Sequence, residues 1–279
     1  PNDLASRQRV EWNATLWDET DSKVESSETA FFETGLLSAS DFTAKWISGK
    51  YRVNKKKRYP VDCFKKQFAA QNIAKARLYI TACGLYEALV NGKRVDDFVL
   101  APGHTDYTKR IQLQTYDVTE LLESGENVIT AELADGWYRG SCGAWGLRNQ
   151  YGTQTKLYAQ LEITDKSGNK AVIGTDQTWA WSNDGKIRFA DNKDGEIVEA
   201  WRTPSYGGLA KETKRDVTPA SSNNVPVTEH ERFSVQKVIT TPGGAKVLDF
   251  GQNIAGYISF AVMAKKGQKI KLRFGEMFD

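Results

Sequence analysis

Four oxygen-bearing side chains fall within six residues at Asp191-Asn192-Lys193-Asp194-Gly195-Glu196, and Glu199 follows closely. Such a cluster could hold a hard cation, because Ca²⁺ takes six to eight oxygen ligands and tolerates irregular geometry. Asp191, Asn192 and Asp194 are therefore the candidate ligands for Ca²⁺, the one cofactor the sequence suggests. The spacing is not that of an EF-hand loop, and a solvated acidic turn between strands explains the same residues. A second cluster, Asp135-Gly136-Trp137-Tyr138-Arg139-Gly140 with Trp145 close behind, sets large rings among glycines. Aromatic rings on a loop can stack on the apolar face of a sugar, which makes Trp137, Tyr138 and Trp145 candidate carbohydrate-binding residues. Trp137 and Tyr138 can equally be read as caps on a hydrophobic core. Asp96, Asp97, Asp106, Asp135, Glu196 and Glu199 supply carboxylates of the kind glycoside hydrolysis uses, but nothing in their spacing singles out an acid and a base, so no catalytic residue is assigned.

The other reactive side chains offer less. Cys63, Cys83 and Cys142 are odd in number and irregularly spaced, no Cys-x-x-Cys pair occurs, and His104 and His230 are the only histidines. That is poor material for a structural zinc site, a disulfide framework or a Cys-His catalytic pair. The run Lys55-Lys56-Lys57-Arg58, with Lys65-Lys66 nearby, lacks aromatic interleaving beyond Tyr51 and Tyr59 and reads as a solvated hairpin tip. Gly207-Gly208 and Gly243-Gly244 lack the context of phosphate loops and read as turns.

The elements that must carry these residues are strands. Leu78, Ile80 and Ala82 alternate with Arg77, Tyr79 and Thr81; after Gly84 the alternation resumes through Leu85, Glu87 and Leu89 and ends in Asn91-Gly92, a pair that favours a tight hairpin. Val128 to Leu133, Leu157 to Thr164, Ala171 to Thr175, Val235 to Thr240, Tyr257 to Met263 and Lys269 to Phe274 continue the pattern. Helical periodicity is confined to short pieces such as Val118 to Glu123, so an all-β sandwich is expected. Among 279 residues, 38 Lys plus Arg stand against 35 Asp plus Glu, a formal charge of +3. So balanced a chain has no global field to draw in nucleic acid or an anionic membrane. Its apolar windows fall far short of the ~20 residues a membrane span needs. No segment resembles a signal peptide, and Pro1 is not an initiator methionine, so the compartment is left unassigned.

Composition places joints near residues 36–41 and across 207–231, the latter rich in Gly, Pro, Ser and Asn. Four parts follow: residues 1–40 with a few strands, a central sandwich over 41–208, a connector over 209–230, and the opening strands of a further sandwich over 231–279. Neither flanking part has enough sequence to close a core of its own, so the expectation is a piece of a longer protein.

Taken in order, Phe31-Phe-Glu-Thr-Gly-Leu-Leu37, Trp46-Ile47, Ala76-Arg-Leu-Tyr-Ile-Thr-Ala-Cys-Gly-Leu-Tyr86, Val90-Asn-Gly-Lys93, Leu100-Ala-Pro-Gly103, Thr105-Asp-Tyr107, Tyr116-Asp-Val-Thr119, Gly136-Trp-Tyr-Arg-Gly140, Asp249-Phe-Gly-Gln-Asn-Ile-Ala-Gly256 and Phe274-Gly-Glu276 resemble the N-terminal half of bacterial α-L-rhamnosidases. Each motif is short; their order and spacing make the resemblance specific. The central part is also similar to the galactose-binding-like jelly rolls found beside glycosidase catalytic domains. The resemblance implies fibronectin-like strands in residues 1–40, a jelly roll in 41–208 and the start of another sandwich in 231–279. It also implies a glycoside hydrolase as parent, whose (α/α)₆ catalytic barrel lies outside these residues, so that this stretch by itself catalyses nothing.

Some members of that family use the jelly roll to hold rhamnose with Ca²⁺, and the resemblance implies Asn192 and Glu196 as candidate carbohydrate-binding residues beside Trp137, Tyr138 and Trp145. Where relatives read roughly Asp-x-Tyr-x-Gly-Glu-x-Tyr-Asp-Ala-Arg, this sequence keeps Asp191, Gly195 and Glu196 but has Lys193 for the tyrosine and Val198-Glu199-Ala200-Trp201 for the last four. His104 stands where relatives place tryptophan in Pro-Gly-Trp-Thr-Asp-Tyr, as a weakened sugar or core contact or as a surface imidazole. The expected partners are rhamnose-containing glycosides and the remainder of the polypeptide, with homodimerisation through the sandwich as an alternative role. A stand-alone lectin-like module is a third reading.

Overall fold

The computed structural model describes residues 3–25, 28–143, 145–265 and 267–275. Two units can be distinguished, Pro1–Thr228 and Glu229–Asp279. In the first, two sheets face each other across a common core. One has seven strands, ordered Lys211–Thr213, Trp46–Ser48, Lys156–Asp165, Ile73–Cys83, Gln112–Asp117 and Ala220–Ser221, with Lys170–Gly174 also paired to Lys156–Asp165. The other has six, ordered Gly208–Leu209, Ala180–Ser182, Asp62–Ala70, Gly125–Ala134, Leu85–Val90 and Lys93–Arg94.

Alternation decides what each strand buries. Leu78, Ile80 and Ala82 from the first sheet meet Ile129, Ala131 and Leu133 from the second, with Leu157, Ala159, Leu161 and Trp179 filling between them. Ile73–Cys83 is central enough to be buried on both faces: Tyr79 and Cys83 point into a second cluster with Trp46, Tyr107, Leu113, Tyr138 and Tyr158. The strand after it, Leu85–Val90, belongs to the other sheet. Tyr86, Ala88 and Val90 are buried, whereas Glu87 is exposed and Leu89 only half-buried. Gly84 stands where the chain leaves one sheet for the other. Its φ is +132°, and a β-carbon there would lie 2.5 Å from the Ala134 carbonyl. The Asn91-Gly92 hairpin forms as expected, with Val90 opposite Lys93 and both turn residues at positive φ.

Residues 209–230 are not a free connector. Gly208–Leu209, Lys211–Thr213 and Ala220–Ser221 add edge strands to both sheets. Edge pairing uses main-chain groups and so needs no hydrophobic signature in the sequence. The N-terminal segment pairs Arg9–Trp12 with Ala30–Glu33 and is tied to the sandwich by ion pairs. In the second unit Lys237–Thr240 pairs with Lys246–Asp249. Tyr257 to Met263 and Lys269 to Phe274 form no ladder there, contrary to their alternation. A period of two marks a face to bury, but a strand exists only where a neighbour takes up its hydrogen bonds.

Candidate functional site

Three loops at one end of the sandwich, around residues 51–59, 135–151 and 191–194, are knitted together by polar contacts. The base of the knot is Asp62, the first residue of the strand Asp62–Ala70 and itself fully buried. It accepts from Thr155 Oγ1 at 2.5 Å, Trp181 Nε1 at 3.0 Å and Tyr51 Oη at 3.3 Å. Burial pushes its carboxyl above the usual range, against the opposing pull of Arg139 and these hydrogen bonds. Tyr51 Oη accepts from Arg139 Nη1 at 2.5 Å, and Arg139 Nε donates to Asp135 Oδ1 at 2.7 Å. Arg148 closes the set on the other Asp135 oxygen at 2.5 Å. Arg139 and Asp135 sit four residues apart across the single helical turn Gly136–Arg139, and each is only 2% exposed.

The acidic turn is held to this base. Asp191 Oδ2 accepts the Ser141 amide at 2.7 Å, and its Oδ1 accepts the amides of Lys193 and Asp194 at 2.9 and 3.0 Å. Gly140 allows that approach, since a β-carbon there would lie 2.3 Å from Asp191 Oδ2. Asp194 Oδ2 takes the Ser141 hydroxyl at 2.9 Å and the Arg58 guanidinium at 2.5 Å. Although burial opposes it, Ser141 and Arg58 draw the Asp194 carboxyl below its ordinary value. Lys193 Nζ donates to the Gly143 carbonyl at 2.5 Å, and Asn149 Nδ2 reaches the Lys55 carbonyl at 3.4 Å.

This arrangement does not fit the expected Ca²⁺. The oxygens of Asp191 are occupied by three backbone N–H groups, Asp194 is paired with an arginine, and the Lys193 ammonium lies in the same loop contact. Asn192 is exposed. Among the described residues no group of three or more His, Cys, Asp or Glu side chains converges as metal ligands. The carboxylates that suggested a cation are the anchors of the turn, a role that composition cannot distinguish from ligation.

The aromatic candidates separate. Tyr138 cannot offer a face to a sugar: it is 3% exposed and meets Tyr107 edge-on at 5.3 Å. Successive side chains on a helical turn diverge by about 100°, so Tyr138 enters the aromatic cluster while Trp137 packs against it from its edge. Trp137 is half-buried and stacks on His104 at 5.3 Å with 26° between planes. His104 is thus a ring-stacking partner of Trp137, and Cys142 Sγ lies 3.9 Å from its Nε2. Trp145 is 94% exposed, with φ +67° between Gly143 and Gly146, both at positive φ. Glu196 lies on the strand Gly195–Val198 and shares its electrostatic surroundings with Lys186 and Glu132, outside the polar knot. The groups missed by sequence reasoning are Tyr51, Arg58, Asp62 and Arg148. Asp62 left one signal, a lone carboxylate inside the apolar run Val61-Asp-Cys-Phe64.

The profile of the Alpha-L-rhamnosidase N-terminal domain matches residues 71–241. The chain belongs to that family. The rhamnosidase N-terminal sandwich is flanked here by a match to the Rha78A-like N-terminal immunoglobulin domain at residues 2–38 and one to the bacterial alpha-L-rhamnosidase concanavalin-like domain at residues 239–279. An alpha-L-rhamnosidase of Formosa agariphila is 36% identical over 98% of this chain and 32% of its own length. One from Streptomyces avermitilis is 37% identical over 75% of this chain and 21% of its own. The crystal structure of an α-L-rhamnosidase from Aspergillus terreus superposes with a TM-score of 0.82 at 31% identity, covering 91% of this chain and 31% of that one. The rhamnosidase-family chain thus spans about a third of the length, or less, of these relatives.

Proposed function

We propose that this chain is an accessory region of an enzyme that hydrolyses terminal α-L-rhamnose from glycosides, and that its central sandwich, a jelly roll, presents carbohydrate to, and positions, a catalytic barrel outside these residues. The observation that carries this reading is Trp145: an almost fully exposed indole held in left-handed backbone on a loop clamped by buried ion pairs. Exposing that ring costs solvation, and a rigid apolar plane is what the face of a sugar ring can cover. Membership of the rhamnosidase N-terminal family supplies rhamnose as the expected sugar. A second reading, a sandwich that serves only as an interface to another domain or another copy, is favoured by Ile197 and Val198 on the strand Gly195–Val198 and Trp201 just after it, all exposed.

Calorimetric titration of the chain with L-rhamnose distinguishes them. Saturable heat is expected, unchanged by Ca²⁺ or by a chelator, and abolished in Trp145→Ala. No heat with or without Ca²⁺ rejects carbohydrate recognition and leaves the interface reading; heat only with Ca²⁺ rejects the assignment of Asp191 and Asp194 as turn anchors.

A further inference from the structure

The basic tip meets, at Asn149, the loop that carries Trp145. Some cations of this unit are paired with acids, Arg7 with Asp41 and Glu162, Lys75 and Arg77 with Glu33, Arg139 and Arg148 with Asp135, and others, such as Lys65, Lys93 and Lys211, stand singly among the described residues; at the tip four stand together. Arg52, Lys55, Lys56 and Lys57 are all exposed and form no ion pair with the described residues. They sit on a shaped turn. Asn54 Oδ1 accepts the Lys56 amide at 2.9 Å, the Asn54 amide donates to Tyr59 Oη at 2.6 Å, and Tyr59 packs on Tyr51 at 4.8 Å. Arg52, Val53, Asn54 and Lys55 line a shallow surface hollow. The tip touches the Trp145 loop through Asn149 and Lys55. The nearby acids do not neutralise it, because Asp191 and Asp194 face backbone amides, Ser141 and Arg58.

We infer that this ridge recognises an anionic glycan, a sugar chain bearing carboxylate or sulfate groups: Trp145 takes the apolar face of a ring while Arg52 and Lys55 to Lys57 meet the anions of neighbouring units. The inference rests on the reading of the ridge as carbohydrate-facing and adds a charge requirement to it. Lysine ammonium groups on flexible stems suit anions repeated along a chain rather than one fixed bidentate partner. Nucleic acid is the poorer match, since successive bases call for several exposed rings along the groove and one is present here.

The test is binding of the 279-residue chain to polygalacturonate and to a sulfated galactan, against a neutral galactan. Binding is expected to one or both polyanions, with an apparent Kd raised on the order of tenfold or more by the triple change Lys55→Glu, Lys56→Glu, Lys57→Glu, as loss of steering charge requires. Salt at about 0.5 M, where the screening length falls to a few Å, weakens the wild-type interaction in parallel. Trp145→Ala weakens it as well. The two polyanions separate uronate from sulfate as the recognised group. The inference is overturned if the triple variant binds as the wild type does, if the neutral galactan binds equally well, or if a DNA duplex competes fully and Trp145→Ala has no effect. Retained L-rhamnose binding without polyanion binding rejects the charge requirement alone; loss of both rejects the carbohydrate reading beneath it.

Discussion

Asp62 joins the core to the ridge, and its environment makes its energetic role specific. Three donors, from Tyr51, Thr155 and Trp181, converge on a carboxyl with no exposed surface. Truncation to alanine strands those donors in a dry site, where each unmade bond carries a desolvation penalty. Asp62→Ala is therefore expected to destabilise the first unit by about 3 kcal/mol, while Asp62→Asn, which keeps the shape and one accepting oxygen, costs less than half as much. Denaturant unfolding followed by tryptophan fluorescence measures both; equal midpoints for wild type and Asp62→Ala would show that the network contributes nothing. Residues of this kind were the hardest to read from sequence. A carboxylate in an apolar strand and an arginine in an aromatic loop are each unremarkable until the fold brings Asp62, Tyr51 and Arg139 into line, although they lie up to 88 residues apart.

At the scale of elements, the strands were legible and their neighbours were not. Periodicity marks a buried face, so Ile73–Cys83, Gly125–Ala134 and Lys156–Asp165 could be located in the sequence, as could the Asn91-Gly92 turn. Edge strands such as Lys211–Thr213 pair through main-chain groups alone and left no pattern. The attachment of the N-terminal segment was equally hidden, because it is built from charge. Arg7 donates through Nε and Nη2 to both oxygens of Glu162 at 2.6 Å and through Nη1 to Asp41 at 2.7 Å, while Glu33 receives Lys75 and Arg77. The Ser6 hydroxyl, then Arg7 and the Ser38 amide, hold the Asp41 carboxyl at about 2. For Glu33, burial pushes upward but the hydrogen bonds from Lys75 and Arg77 bring the value below the ordinary one. A carboxyl whose folded pKa is depressed stabilises above its unfolded value and loses that contribution as pH falls through the folded one. For Asp41 the window runs from about 4 down to 2. Acidification across it should raise amide exchange in Arg9–Trp12 and Ala30–Glu33 ahead of the sandwich strands, once intrinsic rates are corrected for. Arg7→Ala should produce the same loosening at neutral pH. Protection unchanged in both cases would mean the segment is held by packing rather than by charge.

For the whole molecule, the unit boundary is more informative than total length. Between Ser221 and Lys237 no strand forms, and the chain there is mostly exposed, with Val99 donating to the Val227 carbonyl near the end of the first unit. Arg232 lies just beyond that hydrogen bond, its side chain 84% exposed and paired only locally with Glu229. Proteases need several residues of backbone free to enter their cleft, and a segment without ladder hydrogen bonds supplies them at little cost. The basic tip offers trypsin three lysines in a row, but Asn54 and Tyr59 fix its turn. Limited trypsin digestion of the native chain is thus expected to cut after Arg232, and at the exposed Lys265, Lys269, Lys271 and Arg273 outside any ladder, before Lys55 to Lys57. The product should begin at the original N-terminus, unfold cooperatively with the midpoint of the intact sandwich, and retain whatever sugar or polyanion binding the intact chain shows. Mass spectrometry of the early fragments decides the order of cleavage. First cleavage within residues 54–58 would show that the tip is not fixed, and would remove the rigidity on which the arrangement of Trp145 and its neighbouring cations depends.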